Sequence, residues 1–279
     1  MRTIQVCLSL LALGGPAFAQ ATDDPPPPPP QPASDGASAG ERVVLPAKRL
    51  YARASLELDL STGTAFDPVS LAPDVFYGVT SAFTVGLVHS SLGGTGLIGQ
   101  TGSSLCFTGA CDGVYHNFGL DGRYQFTTGK ISAAASFGLY AKDLSPFTLS
   151  AKLGVVGRWR PKPASKLAVD FAPSLFIGIT QRDPAVVGAA GNTEVFALPV
   201  TAVYAVKPRI SVMAQTGLFL PFETAGDGFF VPLSLGGSYA VNKQISVEAA
   251  FSLLHLLGGS AIPTGIDARS FTIGGGYAF

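Results

Sequence analysis

From Arg49 to Leu60 polar and apolar side chains take turns. Odd positions carry Arg49, Tyr51, Arg53, Ser55, Glu57 and Asp59, and even positions carry Leu50, Ala52, Ala54, Leu56, Leu58 and Leu60. Neighbouring side chains of a strand point to opposite faces, so this stretch is a ribbon with one charged and one apolar face. A helix would mix the two sets around its circumference. The same period returns in "VYHNFGLDGRYQF" (114–126), "FTLSAKLGVVGRW" (147–159), "RISVMAQTGLFL" (209–220) and "QISVEAAFSLL" (244–254). Strands are predicted near 49–60, 73–79, 83–90, 114–126, 131–142, 147–160, 166–179, 193–206, 209–222, 229–241, 244–257 and 268–279.

The links between these ribbons alternate in length. Tight ones, "TSA" (80–82), "TTGK" (127–130), "KPAS" (162–165), "KPR" (207–209) and "NK" (242–243), alternate with links that are mostly longer and richer in Gly: 61–72, 91–113, 180–192, 223–228 and 258–267. Short and long links in alternation mark an up-and-down antiparallel barrel. The expected fold is all-β, a transmembrane barrel of about twelve strands, with ten as the alternative because the second and third strands are short. An even count leaves both ends of the barrel region on one side, expected to be periplasmic. A soluble sandwich or lipocalin-like barrel has the same period with its apolar side chains inward.

Composition favours the membrane orientation. Only 13% of residues are charged and the mean hydropathy is +0.37, against about 25% charged residues in soluble domains. No apolar run is long enough for a spanning helix. A net charge of zero removes the electrostatic basis for nucleic-acid binding. Arg2, the apolar "VCLSLLALGG" and the small-x-small "AFA" predict a signal peptide over 1–19, with Cys7 discarded. Six consecutive prolines make 20–48 a linker of polyproline II character. It serves as a spacer or, through residues 25–32, docks a periplasmic partner. The barrel region is 49–279.

The chain closes on "SFTIGGGYAF", where Phe271, Ile273, Gly275, Tyr277 and Phe279 share the lipid-facing phase. This resembles the terminal strand of Gram-negative outer-membrane β-barrel proteins, porin-like in class with no subfamily identified. The resemblance implies an outer-membrane location, lipid as surroundings, and Phe271, Tyr277 and Phe279 as interface residues and as the signal read by the barrel-assembly machinery. Gly275 departs from it, since such strands usually carry something larger there.

The polar phase holds the candidate chemistry. Arg53, Glu57, Asp59, Asp121, Arg123, Lys152, Arg158, Asp170, Glu194 and Glu248 are expected to line an aqueous interior. They make either a water-filled path that selects by size and charge or an ion-paired plug. The expected function is a narrow porin-like channel for small hydrophilic solutes. The alternative is a plugged structural or adhesive barrel working through its extracellular loops. Cys106 and Cys111, five apart in an exported chain, predict a local disulfide rather than a metal site with Asp112 and His116. The stretch "VHSSLG" (88–93) resembles the outer-membrane phospholipases, which implies a His89–Ser91 pair. Their third group would be Asn117, which here falls on the opposite face. No cofactor, metal or catalytic residue is expected.

Overall fold

The computed structural model describes residues 42–99, 105–108, 115–162, 165–183, 191–260 and 265–279. The expected signal peptide, most of the expected linker, and Cys111 and Asp112 lie outside them. The first three strands are β1 (Leu50–Asp59), β2 (Val69–Gly78) and β3 (Phe83–Val88), followed by one helical turn, α1 (Ser91–Gly94), and a two-residue strand, β4 (Leu105–Cys106). Then come β5 (Phe118–Thr127), β6 (Ile131–Leu144), β7 (Phe147–Trp159), β8 (Leu167–Phe171), β9 (Ser174–Gly178) and β10 (Val195–Lys207). The chain ends in β11 (Ile210–Pro221), β12 (Phe230–Ala240), β13 (Ile245–Gly258) and β14 (Arg269–Ala278).

Every pairing is antiparallel, the places of the ring follow one another in chain order, and β1 pairs both β2 and β14, so the sheet closes on itself. The ring has twelve places. β8 and β9 share one of them between β7 and β10, because Pro173 has no N–H to give the ladder. β4 lies outside the ring against β2. At the seam Tyr51 opposes Ala278 and Asp59 opposes Ser270, and the Phe279 amide bonds the Leu50 carbonyl at 2.8 Å.

Orientation follows from exposure. Leu120, Leu139, Leu153, Val212, Leu235 and Ile273 lie exposed on the outer face, while Ser55, Ser136, Ser150, Ser234, Ser252 and Ser270 are buried inside. A soluble barrel would reverse this, since exposed apolar area of that extent belongs in hydrocarbon. Tyr77, Tyr124, Phe126, Tyr204, Tyr239 and Phe279 stand exposed toward the strand ends that carry the tight turns, as an aromatic girdle does. The long-link end has one tight connection of its own, Ser145–Pro146 between β6 and β7.

Candidate functional site: a lumen closed by two inserted segments

Small inward residues leave space along the axis, and two pieces of chain fill it. The first precedes β1. Val43, Val44 and Leu45 are buried, Val44 to 1% exposure, against Ala134 and Val156 of the lumen wall and beside Phe76. Its backbone is fixed by Leu45 N–H donating to Thr84 Oγ1 at 2.8 Å and Lys48 N–H to the Gly78 carbonyl at 2.6 Å. Position 78 must be glycine, because a Cβ there would lie 2.0 Å from the Pro46 oxygen.

The second segment enters from the long-link end. Asp74, inward on β2, accepts the N–H groups of His89 (2.7 Å) and Ser90 (2.9 Å), which ends β3 and turns the chain into the barrel. Ser90 caps α1, its Oγ accepting from Gly93 N at 2.8 Å. Beyond α1 the chain crosses the lumen. Leu97 is 1% exposed, Ile98 N–H donates to Gln215 Oε1 at 2.7 Å, and Ser270 Oγ donates to the Gly99 carbonyl at 2.7 Å. Gly99 has φ +95°, and a Cβ would meet Ser252 at 2.5 Å, so only glycine passes there.

Around these segments the charged residues pair. Arg53 Nη2 lies 2.5 Å from Asp74 Oδ2 and 3.0 Å from Ser90 Oγ. Asp121 accepts from Arg123 Nε (2.8 Å), Lys152 Nζ (3.2 Å) and the Tyr140 hydroxyl (2.8 Å). Arg158 grips Asp170 with two bonds, 2.6 and 2.9 Å. Arg123 also stacks over Phe76 and Lys152 over Tyr140, at 4.9 and 5.5 Å from the ring centres. Buried cations need such partners, because an unpaired charge in the wall would cost several kcal/mol.

Of the expected lining residues, Arg53, Glu57, Asp121, Arg123, Lys152, Arg158 and Asp170 are buried on the inward face, with Ser70 donating to Glu57 at 3.2 Å. Glu248 is half-buried beside a small cavity shared with Ser55, Glu57, Ile98 and Gly99. Asp59 sits at the strand end, its carboxylate accepting from Ser61 N at 2.6 Å. Glu194 lies just before β10 and pairs with Arg182 at 2.7 Å, the two side chains 31% and 49% exposed. That hydrogen bond lowers the pKa of Glu194 from its ordinary value. Cys106 is buried in β4. Phe271, Tyr277 and Phe279 keep the outward phase, and the last two rings meet at 4.3 Å.

His89 does not offer a ring nitrogen to Ser91. Its Nδ1 faces the Pro73 carbonyl and its Nε2 the Tyr115 hydroxyl at 2.9 Å. Asn117 begins the wall beyond, with Oδ1 buried and without a hydrogen-bond partner.

Among the described residues, mid-lumen cavities of about 20 Å³ include one by Arg123, Lys152 and Asp170 and another by Glu57 and Glu248. Each holds about one water. A larger cavity of about 240 Å³ opens above α1 at the long-link end.

The closed twelve-place ring has counterparts among solved structures. The NanC porin superposes with TM-score 0.57 at 11% identity, over 82% of this chain and 98% of that one. The KdgM porin, solved with disordered oligogalacturonate, gives 0.54 at 9% identity, over 83% and 99%. An outer membrane channel from Pseudomonas putida F1 gives 0.51 at 11% identity, over 87% and 99%. The fold is that of the outer-membrane porins. No family model and no curated protein sequence matches the chain.

Sequence reasoning missed the parts that close the lumen. Asp74 and Gln215 carry the second segment, yet each reads as one more polar residue on an inward phase. The signal that could have found Asp74 is its isolation: a carboxylate between Ala72 and Phe76 on a face with no other charge nearby in the strand.

Proposed function

We propose that the protein is an outer-membrane channel of the porin kind, narrow and selective for small hydrophilic solutes, with the tight turns and both barrel ends facing the periplasm. The observation that carries this is the inverted barrel, apolar outward and charged inward, in a fold shared with porins. In the conformation described, Val43–Leu45 narrow the tight-turn half and Leu97–Gly99 the other. Conduction requires one or both to withdraw, leaving the paired charges as a lining of mixed sign that admits solutes of little net charge. Phe279 and the terminal strand serve insertion by the assembly machinery, and the Pro-rich stretch links the barrel to the periplasm.

Purified protein in a planar bilayer is expected to give discrete conductance steps. Charge reversal at Lys152 or Glu248 is expected to change cation-to-anion selectivity. The filled mid-lumen favours a second reading, a plugged structural barrel. Silence from the native protein and from variants lacking either segment would establish that reading instead.

A further inference from the structure

The cavity of about 240 Å³ above α1 has a composition unlike the rest of the lumen. Four of its fourteen lining residues, Phe118, Tyr140, Phe176 and Phe219, are aromatic and come from four strands, and His89, Ser90, Ser91, Thr95 and Asn117 supply polar groups. Tyr140 and Phe176 meet edge to face at 5.6 Å, and Phe219 stacks on Phe230 at 4.7 Å, so these rings are braced rather than loose. Below the cavity the Tyr140 hydroxyl is committed to Asp121 at 2.8 Å, which leaves its ring to the wall.

The electrostatics are one-sided. Among the described residues the lining includes one lysine, Lys142, and no carboxylate. Its ammonium donates to a neutral amide, Asn192 Oδ1 at 3.1 Å, and lies 5.8 Å from the Phe176 ring centre. Elsewhere in the lumen Arg53, Arg123, Lys152 and Arg158 each sit against an aspartate. Glu194, adjacent in sequence to the lining residue Val195, is taken by Arg182 at 2.7 Å. Among the described residues Lys142 thus has no carboxylate partner, and it stands at the edge of a cavity with aromatic rings in its wall. The cavity also holds Asn117, whose buried Oδ1 has no partner.

We infer that this mouth cavity is a binding site for a small organic monoanion with a planar ring. The carboxylate pairs with the Lys142 ammonium and the ring lies among Tyr140, Phe176 and Phe219. A ligand hydroxyl or amino group would satisfy Asn117. The volume is just below the range of drug-sized sites, which restricts the occupant to a single ring with short substituents. Rings offset or edge-on to aromatic walls gain contact beyond burial, and a charge-assisted bond in a partly dehydrated mouth is stronger than one in water. This deepens the channel reading by naming a solute class for its entrance, though binding itself does not depend on conduction.

The test uses the full mature chain, folded in detergent, with folding checked by the heat-dependent gel mobility of intact barrels. Calorimetric titration with sodium benzoate is expected to show saturable one-site binding. Sodium acetate (charge without ring) and benzylammonium chloride (ring with the opposite charge) are expected to show none. Lys142→Gln, at an exposed position, weakens benzoate binding about tenfold or more, as loss of a charge-assisted bond does. Lys142→Glu transfers preference from benzoate to benzylammonium. Absence of saturable benzoate binding to the folded native chain overturns the inference, as does unchanged affinity in Lys142→Gln. Benzoate binding to a protein that is silent in bilayers supports the site and overturns only the channel reading.

Discussion

Gln215 Oε1 accepts the Ile98 amide at 2.7 Å, joining a wall strand to a residue 117 positions earlier in the chain. The same side chain donates to the Gly96 carbonyl at 2.8 Å and to Thr201 Oγ1 at 2.9 Å. One amide thus holds both sides of the inserted turn, and Thr201 holds the amide. Gln215→Ala strands a buried N–H and a buried carbonyl of the inserted segment, at a cost of about 1–3 kcal/mol each. Its expected result is a larger and noisier single-channel conductance in planar bilayers, with the barrel still folded by gel mobility.

Removing residues 20–47 takes away Val43, Val44 and Leu45 without touching a barrel strand. The tight-turn half of the lumen then opens onto small side chains such as Ala134 and Ser136. Conductance is expected to rise above that of the full mature chain, and more in combination with Gln215→Ala than with either change alone. Equal conductance in all four proteins would show that neither segment limits the path.

Arg158 and Asp170 form a two-bonded pair with side chains 2% and 9% exposed. Asp170→Asn leaves the guanidinium without its counter-charge and is expected to destabilise the barrel by about 3–5 kcal/mol. The double change Arg158→Met with Asp170→Leu is expected to recover most of that loss, since burying two charges is costly in itself. Urea unfolding in lipid vesicles, followed by Trp159 fluorescence, measures both.

At the long-link end, Arg182 hydrogen-bonds Glu194 and lowers its pKa. A carboxyl with a lowered folded-state pKa stabilises the structure above its unfolded value, and that contribution is lost as pH falls through the lowered value. Arg182→Gln is therefore expected to bring the Glu194 titration back up to the ordinary carboxylate range. Carboxyl-carbon NMR of glutamate-labelled protein reads this directly. An unmoved titration would mean that the pair does not persist in solution.

The ring was legible because its period needs no partner. Alternation in five ribbons and the spacing of the links marked about twelve strands, with ten as the alternative, and each of the twelve expected ranges contains or overlaps an observed one. The errors lie at ends where another part of the molecule decides. β2 begins at Val69, four residues before the expected start, because Pro73 occupies a ladder place opposite Ala54 instead of ending the strand. β3 stops at Val88 because the Asp74 carboxylate takes the next two amides. The fill of the lumen was far less legible. "VVL" at 43–45 has no period and follows a proline tract, so nothing local says that it is buried. The inward phase of Asp121, Lys152, Arg158 and Asp170 could be read from the chain. Their pairing could not, because it depends on strand register and on side-chain reach across it.

The crossing from Ser90 to Gly99 has a mechanical side. It starts at the β2–β3 wall, anchored on Asp74, and ends against Ser252 and Ser270 on β13 and β14, with Gln215 of β11 gripping it midway. A cylinder one sheet thick is soft against being squeezed oval, and this crossing spans it like a strut. Releasing it would do more than unblock a path, since the same event would let the cross-section flex under lateral pressure from the bilayer.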